Sequence, residues 1–315
     1  MDKVFDCIIL GAGPAGLAAG LYCGRARVST LLIEKAQDGG QIAITNEIEN
    51  YPGQMLEGES GPSLVARMTK QVEHFGVERV SDTIKSVELD GDVKVLHGVE
   101  EEYRAHNVIL ATGAHPRSIG CENEKEFLSK GISFCATCDA NFFEGFDVYV
   151  VGGGDSAVEE AMYLTKFARD VTIIHRRDQL RASESIQEKA FKIPNLHFMW
   201  DSVVKRVNGD GILSEMDVEN VKTGEITTIQ ADEDDGMFGL FGFIGMLPNS
   251  EVFKDAVACD ERGYVLTDAD MHTNIPGVYA AGDVRQKTFR QVVTAAADGA
   301  IAAHNVEKSL STYGQ

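Results

Sequence analysis

Cys135 and Cys138 stand in the hexapeptide CATCDA, residues 135–140, with Asp139 directly after the second thiol. Two thiols at this spacing can form a redox dithiol, half of a metal site, or a pair of buried apolar residues. The metal reading needs further ligands, and the sequence has no second CxxC and no HxxxH. The adjacent carboxyl suits redox chemistry. Opening a disulfide releases a thiolate that must be protonated, and a carboxylic acid of raised pKa can do this. Asp139 could equally cap a helix formed by the following ANFFEG, and the two roles are compatible. The other four cysteines lack a partner at such spacing. Cys7, in an apolar strand pattern, and Cys23, in an apolar helix pattern, read as core thiols. Cys121 and Cys259 fall in polar stretches and suggest no role.

The elements that must serve this pair come as one plan written twice. Residues 4–10, VFDCIIL, read as a buried parallel strand. The turn Gly11-Ala-Gly-Pro-Ala-Gly16 follows, then an apolar helix, then the strand VSTLLIE ending at Glu34. The second copy runs from the strand DVYVV through Gly152-Gly-Gly-Asp-Ser-Ala157 and a helix to VTIIH, ending at His175. Gly11 to Glu34 and Gly152 to His175 are the same 23-residue step. Each is a βαβ dinucleotide unit. Its first glycine makes the turn, its second lets the backbone approach a pyrophosphate, and its third small residue lets helix and strand pack closely. Helix N-terminal N–H groups then hold the phosphates.

The two units end differently. Glu34 can accept hydrogen bonds from ribose hydroxyls and would repel a 2′-phosphate, so the first site suits FAD or NAD. The second ends in His175-Arg176-Arg177, with Arg181 one turn on. Arginine forks pair with phosphate oxygens, so that site suits NADPH. Two further strands, VILATGAHP and VYAAGDV, end in small residues that could lie beside a flat cofactor. After the second, Asp283 could bond a flavin's hydroxyl chain, and a long helix begins near Arg290.

The bulk composition narrows the field. The chain has 315 residues, room for two domains, with 43% apolar residues and a formal net charge of -20. So acidic a surface argues against nucleic acid and membrane partners. No apolar run of membrane-spanning length occurs, and the N-terminus runs straight into the first glycine turn without a secretory pattern. Scattered cysteines in a chain of this size do not make a disulfide scaffold.

GAGPAG, ATGAHP, CATCD, GGGDSAVEEA, HRRDQLRA and the closing AAGDV…RQV occur in this order. The chain thereby resembles the low-molecular-weight bacterial thioredoxin reductases over about residues 4–310. The resemblance implies an α/β flavoprotein with two Rossmann-like, three-layer dinucleotide-binding domains of the pyridine nucleotide-disulfide oxidoreductase type. An NADPH domain, residues 115–240, carries the CxxC and is inserted into an FAD domain built from 1–114 and 241–315. Candidate hinges are residues 115–120 and the glycine-rich 236–245. FAD contacts transfer to Gly11, Gly13, Gly16, Glu34, Lys35, Gly40, Gln41, Asn50, Gly113, Gly282, Asp283, Arg290, Gln291 and Val292. NADPH contacts transfer to Gly154, Asp155, Ser156, His175, Arg176, Arg177 and Arg181. The pair Asp155-Ser156 stands where many members have Asn-Thr.

The implied activity is thioredoxin-disulfide reduction by a cytoplasmic homodimer. Electrons pass from NADPH through FAD to a Cys135–Cys138 disulfide and on to thioredoxin or a similar small disulfide protein. Cys138 is the thiol nearer the flavin, Cys135 attacks the partner, and a helix beginning near Asp139 could lower a thiol pKa. Asp139 handles the proton. One inserted domain must bring both nicotinamide and disulfide to the flavin, so two domain arrangements are expected. The nearest rival keeps the fold but draws electrons from ferredoxin; the arginine cluster favours NADPH. A second rival is a non-enzymatic redox sensor, for which the sequence offers no output module.

Overall fold

A computed structural model of the chain describes residues 3–45, 48, 50–54 and 59–313. The backbone separates into two compact units, one made of Met1–His115 with Leu247–Gln315, the other of Pro116–Met246.

The first unit begins with β1 (Val4–Leu10), α1 (Pro14–Arg25) and β2 (Thr30–Glu34). Then come α2 (Gly61–His74), β3 (Glu78–Ser81), β4 (Ser86–Glu88), β5 (Lys94–His97), β6 (Glu102–Leu110) and β7 (Ala114–Pro116). β1 is apolar and fully enclosed over its last four residues, as a central parallel strand should be. It pairs in parallel with β2 and β6, and β2 with β3. The long β6 is shared: its first half pairs antiparallel with β5 and its last three residues pair parallel with a strand from the chain's return.

The second unit contains β8 (Ile132–Ser133), α3 (Ala136–Asp139), β9 (Asp147–Gly152), α4 (Asp155–Leu164), β10 (Asp170–Ile174), α5 (Glu184–Ala190) and β11 (Leu196–Met199). It continues with β12 (Ser202–Asn208), β13 (Glu215–Asn220), β14 (Ile226–Gln230) and β15 (Gly239–Phe243). A parallel sheet of order β11-β10-β9-β15-β8 carries α4 on one face and the antiparallel sheet β12-β13-β14 on the other. β16 (Met246–Pro248) returns the chain to the first unit, where β17 (Val278–Ala280) joins β6 and α6 (Val292–Tyr313) packs on α1. β7 and β16, the two crossings, pair with each other.

The second crossing therefore lies at Met246, beyond the expected 240. Within the glycine-rich stretch 236–245, Gly239–Phe243 is no free hinge but the buried strand β15, held between β9 and β8, and only the end of the stretch, Gly245 at φ +113°, adjoins the crossing. The two glycines of β15, Gly239 and Gly242, serve close packing. A methyl at Gly239 would lie 2.9 Å from the Phe143 ring and one at Gly242 2.5 Å from the Phe134 ring. Cys7 and Cys23 are fully buried between β1 and α1, as expected of core thiols.

Candidate active site

β8 ends at Ser133 and passes the chain through Phe134 into α3. Cys135 is the extended N-cap of that single helical turn, and Cys138 lies within it. The two are joined as a disulfide with Cα atoms 5.3 Å apart. Both are half-buried, with Thr137 exposed between them. Ser133, a residue the sequence reading did not single out, organises the group. Its hydroxyl accepts the Cys135 N–H at 3.1 Å and donates to Asp139 Oδ2 at 2.5 Å. Asp139 precedes the turn Ala140–Phe143 but makes no side-chain cap there, so the capping role is replaced by the serine bond. Burial pushes the Asp139 carboxyl above its ordinary pKa, and the bond from Ser133 offsets only part of this. A carboxyl so placed is protonated further toward neutrality and can serve as a proton donor. The helix begins at Ala136, three residues before the expected start.

In the first unit the β1–α1 turn is built around two close approaches. Gly11 has φ +108°, and a methyl there would lie 2.5 Å from the Ala111 carbonyl oxygen. A methyl on Gly16 would lie 1.8 Å from the Gly11 oxygen. Gly13 differs: it is the N-cap of α1, makes no side-chain cap, and a methyl on it would meet nothing within 4 Å. The backbone is thus bare on the side a pyrophosphate would cross, with free N–H groups of α1 behind it. Glu34 closes β2 with its carboxylate taking the Ala12 N–H at 2.8 Å and the Ala36 N–H at 3.1 Å. Lys35 is exposed beside it, and Gly40 and Gln41 open a short 3₁₀ turn that brings Gly40 against Gly13. Asn50 donates to Gln291 at 3.1 Å.

β17 delivers Gly282 and Asp283 to the same place. Ala281 N–H donates to the Leu110 oxygen at 2.9 Å, and Gly282 packs against Ala15 in the first turn of α1. Buried Asp298 on α6 accepts the Gly282 N–H at 3.1 Å and binds Lys287 at 2.9 Å and Arg285 at 3.2 Å. Asp283 has Oδ1 buried without a hydrogen bond, with Lys287 Nζ 3.9 Å away, and burial pushes its carboxyl pKa up against the pull of that cation. Arg290 lies over the Tyr264 ring at 4.2 Å with its Nε buried and unpartnered. Val292 opens α6. Gly113 lies in the turn after β6, which Asn249 holds through bonds of 2.8 and 2.6 Å with Thr112. A bare glycine turn, a terminal carboxylate and a buried acceptor without a hydrogen bond fit a dinucleotide carrying a pyrophosphate and a hydroxyl chain, and FAD is such a group.

In the second unit Gly154 is the bare N-cap of α4, with Arg181 Nη2 3.9 Å from where a methyl would stand. Ser156 is exposed on that helix, while Asp155 takes the Ser183 N–H at 2.7 Å. Arg181 N–H donates to Gly153 O at 2.7 Å, which sews the arginine loop to the glycine turn. Arg176, Arg177 and Arg181 are exposed and line a cavity of about 380 Å³ with Asp178, Asp201 and Lys222. Among the described residues none of the three arginines has a carboxylate partner. His175 behaves differently from its neighbours. Its ring is buried against Gly153, where a methyl would come within 2.3 Å, and its Nε2 has no partner. Burial, reinforced by the nearby arginines, pushes its pKa down, so the ring is neutral where the guanidiniums are charged. Free arginines beside a bare glycine turn fit NADPH. Asp201 and Lys222 come from distant segments and carry no local motif, so no pattern in the sequence marks them.

Known proteins place this arrangement. The model of the pyridine nucleotide-disulphide oxidoreductases matches residues 5–299. A thioredoxin reductase of Peptoclostridium acidaminophilum is 58% identical over 308 residues, covering 98% of both chains. One of Bacillus subtilis (strain 168) is 44% identical over 308 residues, covering 97% of this chain and 95% of the relative. The crystal structure of thioredoxin reductase from Streptococcus pyogenes MGAS5005 superposes with a TM-score of 0.92 at 44% identity, covering 99% of this chain and all of that one.

Proposed function

The chain belongs to the pyridine nucleotide-disulphide oxidoreductase family and, within it, to the low-molecular-weight thioredoxin reductases, and we propose the following reading of its site. It uses FAD and NADPH to reduce thioredoxin, or a similar small disulfide protein, through the Cys135–Cys138 pair. Bound flavin joins the two-electron hydride chemistry of a nicotinamide to a dithiol. Glu34, the bare turn at Gly13, and Asp283 would hold that group, while Gly154 and the arginines would hold the nicotinamide coenzyme.

The remaining chemistry belongs to the chain's own side chains. The disulfide gains two electrons and two protons to become the dithiol, and Asp139, steadied by Ser133, protonates the leaving thiolate. The Cys135 thiolate then attacks the partner's disulfide. A Cys135–partner bond forms, and the partner's other sulfur leaves and takes a proton. Cys138 attacks Cys135 Sγ, restores the internal disulfide and releases the partner's second thiol. Dithiol and arginine cavity belong to one unit and the Glu34-ended turn to the other. The reading therefore has the inserted unit turn about β7 and β16 between half-reactions. We place the enzyme in the cytoplasm as a homodimer, as the family resemblance implies.

The observation that carries this reading is the half-buried Cys135–Cys138 disulfide with a serine-held, raised-pKa carboxyl beside it. The test is NADPH oxidation in the presence of oxidised thioredoxin. Wild type should turn over and Cys135→Ser should not. Turnover with reduced ferredoxin but not with NADPH would replace the electron donor in this scheme.

A further inference from the structure

Lys222 lies outside the arginine run, in the turn joining β13 to β14, yet it lines the same cavity. Its Nζ is 2.9 Å from Asp201 and 3.1 Å from Asp178, the two carboxylates of the cavity wall. Asp201 is fixed by more than this cation. It sits between β11 and β12 at φ +51°, a left-handed conformation that residues with a Cβ rarely adopt. Its N–H donates to the Arg177 carbonyl at 3.1 Å, and its carbonyl accepts the Val221 N–H at 2.6 Å. The β13–β14 turn is therefore bound to the arginine loop through Asp201, and Lys222 sits where both acids can be neutralised.

The charges explain why this matters. Arg176, Arg177 and Arg181 have no carboxylate partner among the described residues, although Asp178 is their immediate neighbour in sequence and Asp201 shares their cavity. Both acids are occupied by Lys222 instead. Without that cation they would face the guanidiniums unpaired. They would then compete with, and repel, an incoming phosphate.

We propose that Lys222 is a specificity-determining positioning residue: by engaging Asp178 and Asp201 it reserves the three arginines for the 2′-phosphate of NADPH. This inference rests on the assignment of NADPH to this cavity. Its effect falls on ligands that carry the ribose 2′-phosphate alone, because an adenosine ribose without that phosphate gains nothing from free guanidiniums.

The test is calorimetric titration of the flavin-loaded enzyme with 2′,5′-ADP and with 5′-AMP. Lys222→Met should weaken 2′,5′-ADP about fivefold, as expected of one charge acting across a solvent-exposed cavity, and leave 5′-AMP unchanged. Adding Asp178→Asn to that variant should recover most of the loss, which a purely structural role of Lys222 would not allow. With NADPH as electron donor, KM should rise and kcat should hold. Lys222→Gln gives the same comparison should the methionine variant unfold. Equal weakening of both nucleotides, or an unchanged affinity for 2′,5′-ADP, overturns the proposal. A wild-type enzyme that prefers 2′,5′-ADP while the variant keeps the full preference removes Lys222 alone. A wild type with no preference removes the NADPH assignment and this inference with it.

Discussion

Gly13→Ala separates the stability of the first unit from its hold on a dinucleotide. Gly13 has φ −72° and ψ −179°, extended values that alanine adopts without strain. A methyl there would meet no protein atom within 4 Å, whereas at Gly16 it would lie 1.8 Å from the Gly11 oxygen. Flavin-free Gly13→Ala should therefore unfold within about 1 kcal/mol of wild type, the usual scale of a changed N-cap. Gly16→Ala should lose more, because the backbone itself must move. Flavin affinity should follow a different order. The new methyl occupies the space that lets the backbone approach a pyrophosphate, and overpacking of this kind costs about 1–3 kcal/mol. That is a rise of roughly 5- to 150-fold in Kd. Stripping the flavin, titrating FAD back by fluorescence quenching, and melting the flavin-free forms would measure both quantities. Tight FAD binding by Gly13→Ala would show that the pyrophosphate does not cross this glycine. A melting loss equal to that of Gly16→Ala would show that the space is not open.

Two further expectations come from the second unit. Asp139→Asn should slow thioredoxin reduction by about 10²- to 10⁴-fold, the range for losing a general acid. It should also change stability with pH. Because the folded carboxyl titrates above the ordinary 3.8, the stability this group contributes is fully present below that value and is lost as pH rises through the folded pKa. Asp139→Asn escapes this loss, so it should melt higher than wild type at neutral pH and no higher below pH 3.8; a constant difference across pH would refute the burial argument. Arg176→Ala and Arg177→Ala should each lower kcat/KM for NADPH by about 5- to 30-fold, as for exposed charge-assisted bonds of about 1–2 kcal/mol. NADH should be unaffected, and an equal fall for both coenzymes would remove the phosphate role.

What could be read in advance follows the range of the interactions. The two βαβ units were legible because strand, glycine turn and helix lie within about thirty consecutive residues, and their backbone requirements fix the residue types. The same locality let Glu34 and the arginine run be found at matching positions. Matching position did not bring matching surroundings, however. His175 stands where Glu34 stands, but its ring fills the space under Gly153, because a glycine beside a strand end leaves room for one flat side chain. The middle glycines of 236–245, Gly239 and Gly242, differ from the hinge expectation for the opposite reason. Glycine marks flexibility only where nothing packs on it; Phe143 and Phe134 pack on Gly239 and Gly242, while Gly236 and Gly245 at the two ends are open.

The acid–base group near the dithiol and the acid pair near the arginines show the same limit from the functional side. Ser133 is only two residues from Cys135, yet nothing in its type distinguishes it from an ordinary strand serine; its role appears when the turn of α3 carries Asp139 back within 2.5 Å of its hydroxyl. Lys222 is further removed, reaching Asp178 across 44 positions of sequence. In both cases a sequence motif supplies the reacting or binding group and a residue outside the motif sets its electrostatic state. Burial holds the Asp139 carboxyl toward its protonated form, and a serine hydroxyl fixes it in place while opposing this only in part, which an arginine beside it would not do. Arginines that must stay free for phosphate need the neighbouring acids bound elsewhere, which requires a cation from another segment. Exchanging these two kinds of support should therefore damage each site in an opposite sense: a cation at position 133 would ionise Asp139 and disable the donor, and a neutral residue at position 222 would release acids onto the arginines.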